Sequence, residues 1–190
     1  RHHVPQRLGL TIGAFGETAL YEKGQLGGGG GNFRWRFARH WALTFSLSGM
    51  GSCTRCNKES DAIRTDVNWT IGGMYFFFPR YWITPYVRGA FVFNHATFKS
   101  EDAEDYEAEV TQGGAEFGVG FEWRLTQWLA LFADANVLAL GKMNARDNSG
   151  NEIQSDKIPI DGDSERWKGI PQIKGHDVAA RLRLGLVIKF

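Results

Sequence analysis

Four places in this 190-residue chain carry residues whose type and spacing could do chemistry. Cys53-Thr-Arg-Cys56 has the spacing of a redox dithiol or of half a metal site. A zinc site needs further ligands at suitable spacing, and the chain has only these 2 Cys. Haem attachment needs His after the second cysteine, where Asn57 stands. A structural disulfide between Cys53 and Cys56, in an oxidising compartment, is the expectation. His95 and Thr97 form a histidine–hydroxyl pair, which makes a nucleophile only if a carboxylate orients the imidazole. Glu107 or Glu109 on the following strand is the candidate, and the bland alternative is a histidine sitting among lipid headgroups. Gly27–Gly31 lacks the Lys-Ser/Thr of a phosphate loop, so it reads as a flexible loop or a twist device. Residues 142–175 carry Asp147, Glu152, Asp156, Asp161, Asp163 and Glu165, an oxygen-rich run that is a candidate for Ca²⁺. Glu152 stands where an EF-hand loop needs Gly, and six acids are matched by six Lys and Arg. A solvated loop is the better reading. Trp167, Ile170 and Ile173 either anchor that loop or are offered to a partner.

The elements that must position these residues announce themselves through composition. There are 24 Gly, 14 Phe, 7 Trp and 5 Tyr, with only 5 Pro. Gly and aromatics in that abundance point to many strands that turn often. Lys and Arg total 22 against 21 Asp and Glu, a net charge of +1 that gives nucleic acid no basic face to bind. No apolar run approaches the roughly 18 residues of a membrane-spanning helix. The chain opens on Arg1, so the absence of a leader sequence says nothing about compartment.

Strict alternation of apolar with polar or small residues marks strands, whose successive side chains point to opposite faces. The pattern places strands at Arg7–Glu22, Asn32–Ala38, Trp41–Met50, Thr65–Phe78, Pro85–Phe98, Tyr106–Leu125, Leu129–Leu140 and Val178–Phe190. The last is the cleanest, with Val178, Ala180, Leu182, Leu184, Leu186, Ile188 and Phe190 alternating with Arg181, Arg183, Gly185 and Lys189. All but the second reach the roughly 9–11 residues that a tilted strand needs to cross a bilayer. The second must recruit some of the glycines before it. Connections alternate in length. Three are tight, at Arg39-His40, Pro79-Arg80-Tyr81 and Thr126-Gln127. Four are long and polar, at about 23–31, 51–64, 99–105 and 142–175. Short turns on one side and long loops on the other are how an outer-membrane barrel is built.

Each short turn is followed at once by Trp41, Trp82 or Trp128, and Trp35 and Trp123 lie a few residues before theirs. Indoles at headgroup level bury their rings while keeping the N–H satisfied, so these read as an interfacial girdle. Trp69 and Tyr21 fall toward the opposite strand ends and are expected in the other girdle. With the apolar face toward lipid, the other face must fill the lumen. It carries Arg34, Arg36, Arg88, Arg181 and Arg183 against Glu17, Asp66, Glu116, Glu122 and Asp134. Eight strands enclose only enough room for their own side chains, so these charges are expected to pair in a buried network. The expected architecture is therefore all-β, an eight-stranded antiparallel up-and-down transmembrane β-barrel forming a single domain over 1–190. A narrow pore lined by the same charges is the competing arrangement.

Eight amphipathic strands, aromatic short turns and the ending Leu182-Arg-Leu-Gly-Leu-Val-Ile-Lys-Phe190 resemble the small OmpA/OmpX-type outer-membrane barrels of Gram-negative bacteria. A final Phe190 preceded by apolar residues at alternate positions is similar to the signal read by the outer-membrane insertion machinery. The resemblance implies that lipid and lipopolysaccharide surround the barrel, with long loops extracellular and both termini periplasmic. It implies a structural or adhesive role, or docking to another envelope or surface protein. No peptidoglycan-binding domain follows Phe190, so anchoring of that kind is not expected. His95-Ala-Thr97 is faintly similar to the His-x-Ser of the outer-membrane lipid A deacylases, with Thr in place of Ser. A lipid A hydrolase is thus the alternative activity, and more weight falls on a protein that is not an enzyme. No cofactor is expected beyond the Ca²⁺ candidate.

Overall fold

Eight extended segments pair in chain order, each with the next, and the last closes onto the first. They are β1 (Gly9–Tyr21), β2 (Gly24–Arg36), β3 (Trp41–Cys53), β4 (Ala62–Phe76), β5 (Ile83–Ser100), β6 (Tyr106–Arg124), β7 (Leu129–Asp147) and β8 (His176–Lys189). All neighbours are antiparallel, and β1 meets β8 with Thr11 opposite Lys189 and Leu20 opposite Ala180. This computed structural model describes residues 9–22, 24–53, 62–100, 106–147, 150, 152–153, 170–173 and 175–190. Closure leaves no row of unpaired N–H and C=O groups, the condition for a sheet to sit in hydrocarbon.

Burial is inverted relative to a water-soluble protein. Phe117 is 72% exposed while its neighbour Glu116 is fully buried. Leu184 on β8 is 66% exposed beside buried Arg183. The period of two places every second side chain outside, and the outside is apolar. Fully burying one Leu or Phe is worth about 1.5–3 kcal/mol, so an apolar face that encircles the molecule demands an apolar surrounding. No helix among the described residues is long and apolar enough to cross a membrane. Strands do the crossing here.

The glycine run corrects the expected first long loop. Residues 24–31 belong to β2, and β1 joins β2 through Glu22 and Lys23 alone. Alternation cannot register glycine, which has no side chain to alternate, yet its backbone pairs like any other. Gly28 is laddered to Glu17 on one side and Met50 on the other. A β-carbon there would stand 2.0 Å from the Gly49 carbonyl oxygen, and one at Gly30 would stand 2.2 Å from that of Leu47. These inward glycines permit the close approach of β2 to β3.

The other long connections also shrink as their strands outgrow the alternating pattern. β3 runs on to Cys53, β4 begins at Ala62, β5 reaches Ser100 and β7 reaches Asp147. The register of β6 with β7 shifts between Thr111 and Gln112, because Gln112 pairs with Lys142 and Thr111 with Asn144. Met143 is therefore the extra residue of a bulge, turned outward. At the other end the turns are tight. Phe77 N–H donates to Pro85 O at 2.8 Å, and the Thr126 hydroxyl oxygen accepts from Leu129 N–H at 3.0 Å.

Candidate functional site

The inward-facing side chains stack in levels along the barrel axis, each set by strand register. At the short-turn end, Glu122 on β6 receives Lys189 of β8 at 2.5 Å, Arg34 of β2 at 3.4 Å and Arg124 at 3.7 Å. Arg36 lies over the Phe76 ring at 3.9 Å and Arg34 over Phe132 at 4.4 Å. Aromatic faces present negative charge to the guanidinium planes.

The middle level is organised by Glu116. Arg183 Nη2 donates to its Oε1 at 2.7 Å, Arg181 Nη1 to its Oε2 at 3.0 Å, and Arg88 stands at 3.4 Å. Arg183 also donates to Asp134 at 2.8 Å, and Asp134 accepts the Tyr86 phenol at 2.9 Å. Arg88 donates to Thr70 at 2.7 Å, and Thr70 in turn contacts Ser46. Glu17 is the loosest member, 3.8 Å from Arg181 Nε. Three of them, from Arg181 and Arg183 of β8 to Glu116 of β6 and from Tyr86 of β5 to Asp134 of β7, join strands that are not neighbours. They act as struts across the lumen.

Above them Arg64 is completely buried and grips Asp66 through Nε and Nη2, both at 2.7 Å. Its third nitrogen, Nη1, donates to the Pro171 carbonyl at 2.6 Å. Asp66 accepts Asn94, Asn94 donates to Gln112, and Gln112 donates to Asp177 at 2.8 Å. The top level is apolar. Ile153, Ile170 and Ile173, from the chain between β7 and β8, pack against Ala96, Phe98, Ala108, Val110 and Ala145. These described residues are built into the barrel mouth, and Pro171 is hydrogen-bonded to its charged interior.

The ten charges expected in the lumen all lie there, buried. Arg34, Arg88, Arg181, Arg183, Glu17, Glu116, Glu122 and Asp134 meet one another, while Arg36 stacks on an aromatic ring. Asp66 takes its partner from outside that set, Arg64. Arg64, Arg124 and Lys189 are ion-pair residues the sequence reading did not include. Arg64 and Arg124 stand two residues from Asp66 and Glu122, on the same face, so the parity signal was present. Arg64 falls in the expected 51–64 connection, where parity carries no meaning, whereas β4 in fact begins at Ala62.

Outside the barrel, Trp35, Trp41, Trp82, Trp123 and Trp128 all face outward around the short-turn end. Tyr75 stacks on His40 at 5.5 Å and meets Trp41 edge-on at 5.0 Å. Trp69 also faces outward, opposite Leu47 and Phe93, toward the other end of the apolar belt. Tyr21 does not join it. It shares the inward parity of Glu17 and lies beneath the Arg64 guanidinium at 5.0 Å. The exposed Phe190 donates its N–H to Leu10 O at 3.0 Å, extending the β1–β8 seam.

His95 faces outward and meets Thr111 Oγ1 at 3.4 Å through Nδ1, so a hydroxyl occupies the place expected for a carboxylate. Thr97 is paired across the strands with Glu109. Glu107 instead accepts a hydrogen bond from Lys99 at 2.7 Å, which holds the Lys99 ammonium above its usual range, in the part of β5 that rises beyond the apolar belt. Cys56 and the Cys53 side chain lie outside the described residues, as do Trp167 and most of the acids of 142–175. Among the described residues no group of His, Cys, Asp and Glu is arranged to hold a metal ion.

A closed eight-stranded barrel, apolar outside and charged within, is a transmembrane β-barrel, the fold of the small outer-membrane barrels of bacteria. Solved structures agree. OprG of Pseudomonas aeruginosa superposes over 100% of this chain and 99% of its own with a TM-score of 0.59 at 12% identity. Ail, the attachment invasion locus protein of Yersinia pestis, gives 0.55 at 11% identity over 95% and 96% of the two chains. Neisserial surface protein A gives 0.53 at 14% over 95% and 96%. No protein-family profile matches the chain, and no curated protein does.

Proposed function

We propose that this chain is an integral barrel of a bacterial outer membrane, closed to permeation, whose work is done by the segments it holds at the outer surface. In this reading the short turns and both termini face the periplasm and the longer connections face outward. The role is structural or adhesive, through contact with another envelope or surface protein. One observation carries it: the Arg64–Pro171 bond and the Ile153, Ile170 and Ile173 cluster fasten residues 153 and 170–173, on either side of 154–169, into the mouth. A surface segment fixed before binding loses less conformational entropy on meeting a partner. The likeness to an attachment protein and a surface protein supports the same role.

The test combines topology with adhesion. An epitope inserted between residues 154 and 169 is expected to be accessible on intact cells, while one in the Arg39-His40 turn becomes accessible only after the envelope is opened. Replacing residues 154–169 with a glycine–serine stretch is expected to abolish adhesion of expressing cells while leaving the barrel folded. Adhesion unchanged by that replacement refutes the role. Stepwise conductance of the purified protein in planar bilayers refutes the closed lumen.

A further inference from the structure

Charge in the lumen balances at the middle level, carries one anion in excess at the upper level and three cations in excess at the short-turn end. Among the described residues, the middle level sets Arg88, Arg181 and Arg183 against Glu17, Glu116 and Asp134. The upper level sets Arg64 against Asp66 and Asp177. At the short-turn end, among the described side chains, Arg34, Arg124 and Lys189 share Glu122 and Arg36 lies over Phe76, with no other acidic side chain at that level. The three short turns, residues 37–40, 77–82 and 125–128, add Arg39 and Arg80 but contain no Asp or Glu. Glu122 is already committed on both oxygens, Oε1 to Lys189 and Oε2 to Arg34. Unpaired buried charge costs several kcal/mol, so a surplus of this kind calls for a counter-charge.

The donors there are also unspent. Arg34 Nε, Arg124 Nε and Arg124 Nη1 are buried without a hydrogen-bond partner in the protein, and both side chains are more than nine-tenths buried. A cavity of about 20 Å³ lies at the same level, lined by Arg34, Arg36, Lys189, Thr11 and the already paired Glu122 among others, with Arg124 outside its lining. That volume accommodates one water-sized species, since a site of this kind needs roughly 10–15 Å³ to hold a water.

We propose that the short-turn mouth of the barrel is a binding site for a small inorganic anion of chloride size, held between Arg34, Arg36 and Lys189. The anion supplies part of the missing negative charge and accepts the unspent Arg34 Nε–H. Occupancy braces β2 against β8 across the mouth and stabilises the folded barrel.

The test uses the whole chain folded in an uncharged maltoside detergent, so that no headgroup phosphate is present. The unfolding temperature is read from gel mobility in sodium chloride and in sodium gluconate at equal ionic strength, which equalises general screening. Chloride is expected to raise it. At ten times the dissociation constant, the ratio of folded to unfolded protein rises about elevenfold. Arg36→Met keeps the apolar contact with Phe76 and is expected to remove the difference between the salts, whereas Arg80→Gln on the rim keeps it. Crystals soaked in bromide are expected to show an anomalous peak inside the cavity, a readout that needs no variant to fold. Equal melting in both salts overturns the proposal, as does a bromide signal confined to other places. Stabilisation only by amphiphiles with phosphate headgroups also overturns it, because the counter-charge then comes from lipid.

Discussion

Replacing Glu116 by Gln isolates what a sealed interior does to charge. The substitution keeps size and shape but removes the negative charge on which Arg183, Arg181 and Arg88 converge at 2.7, 3.0 and 3.4 Å. The amide oxygen can accept from one guanidinium, while the amide nitrogen, itself a donor, is turned against another. Three cations then face one another with Asp134 and the distant Glu17 as the remaining anions of that level. Breaking a buried pair by removing one partner costs about 3–5 kcal/mol, and a hub with three partners belongs at the upper end of that range. With a urea slope of about 2 kcal/mol per molar, the midpoint is expected to fall by about 2 M. The assay is urea unfolding of the barrel in lipid vesicles, followed by tryptophan emission and gel mobility. Glu107→Gln, which breaks the exposed pair with Lys99, serves as the comparison and is expected to leave the midpoint unchanged. If Glu116→Gln also leaves it unchanged, water reaches the middle of the lumen, and the reasoning that seals this barrel is wrong.

Further expectations test other links in the argument. Gly28→Val and Gly30→Val, which drive a side chain into the backbone of β3, are expected to abolish the heat-resistant folded band, whereas Gly27→Val, with open space before it, is tolerated. Leu184→Arg places a cation on the lipid face and is expected to cost about 2–4 kcal/mol if it lies at mid-membrane, read by the same urea assay. The same change at Val178, nearer the end of β8, costs less; equal costs refute the depth assignment. Arg64→Met removes the donor to Pro171 and is expected to expose residues 170–173 to protease added from outside, with the barrel core intact by mass spectrometry. Undiminished protection means the isoleucines alone hold the segment.

Alternation was sufficient to assign the faces, because the two-residue period of a strand is a local property that any stretch of chain displays by itself. Leu184 outside and Arg183 inside follow from their positions alone, as do the number of strands and the ring of indoles beside the short turns. Closure, and with it the choice of partners, is not local. Arg183 meets Glu116, 67 residues earlier, only because the barrel's stagger brings β8 and β6 to one level across the lumen. The same stagger puts Arg64 under Pro171 and sets Thr111, not a carboxylate, against His95. The glycines of β2 were silent for a different reason. A residue without a side chain has no face to reveal, so only the ladders offered by β1 and β3 could show that 24–31 is strand. Sequence determined which side chains go in and which go out; tertiary structure decided whom each inward charge would meet, because that depends on how far each strand is shifted when the sheet closes.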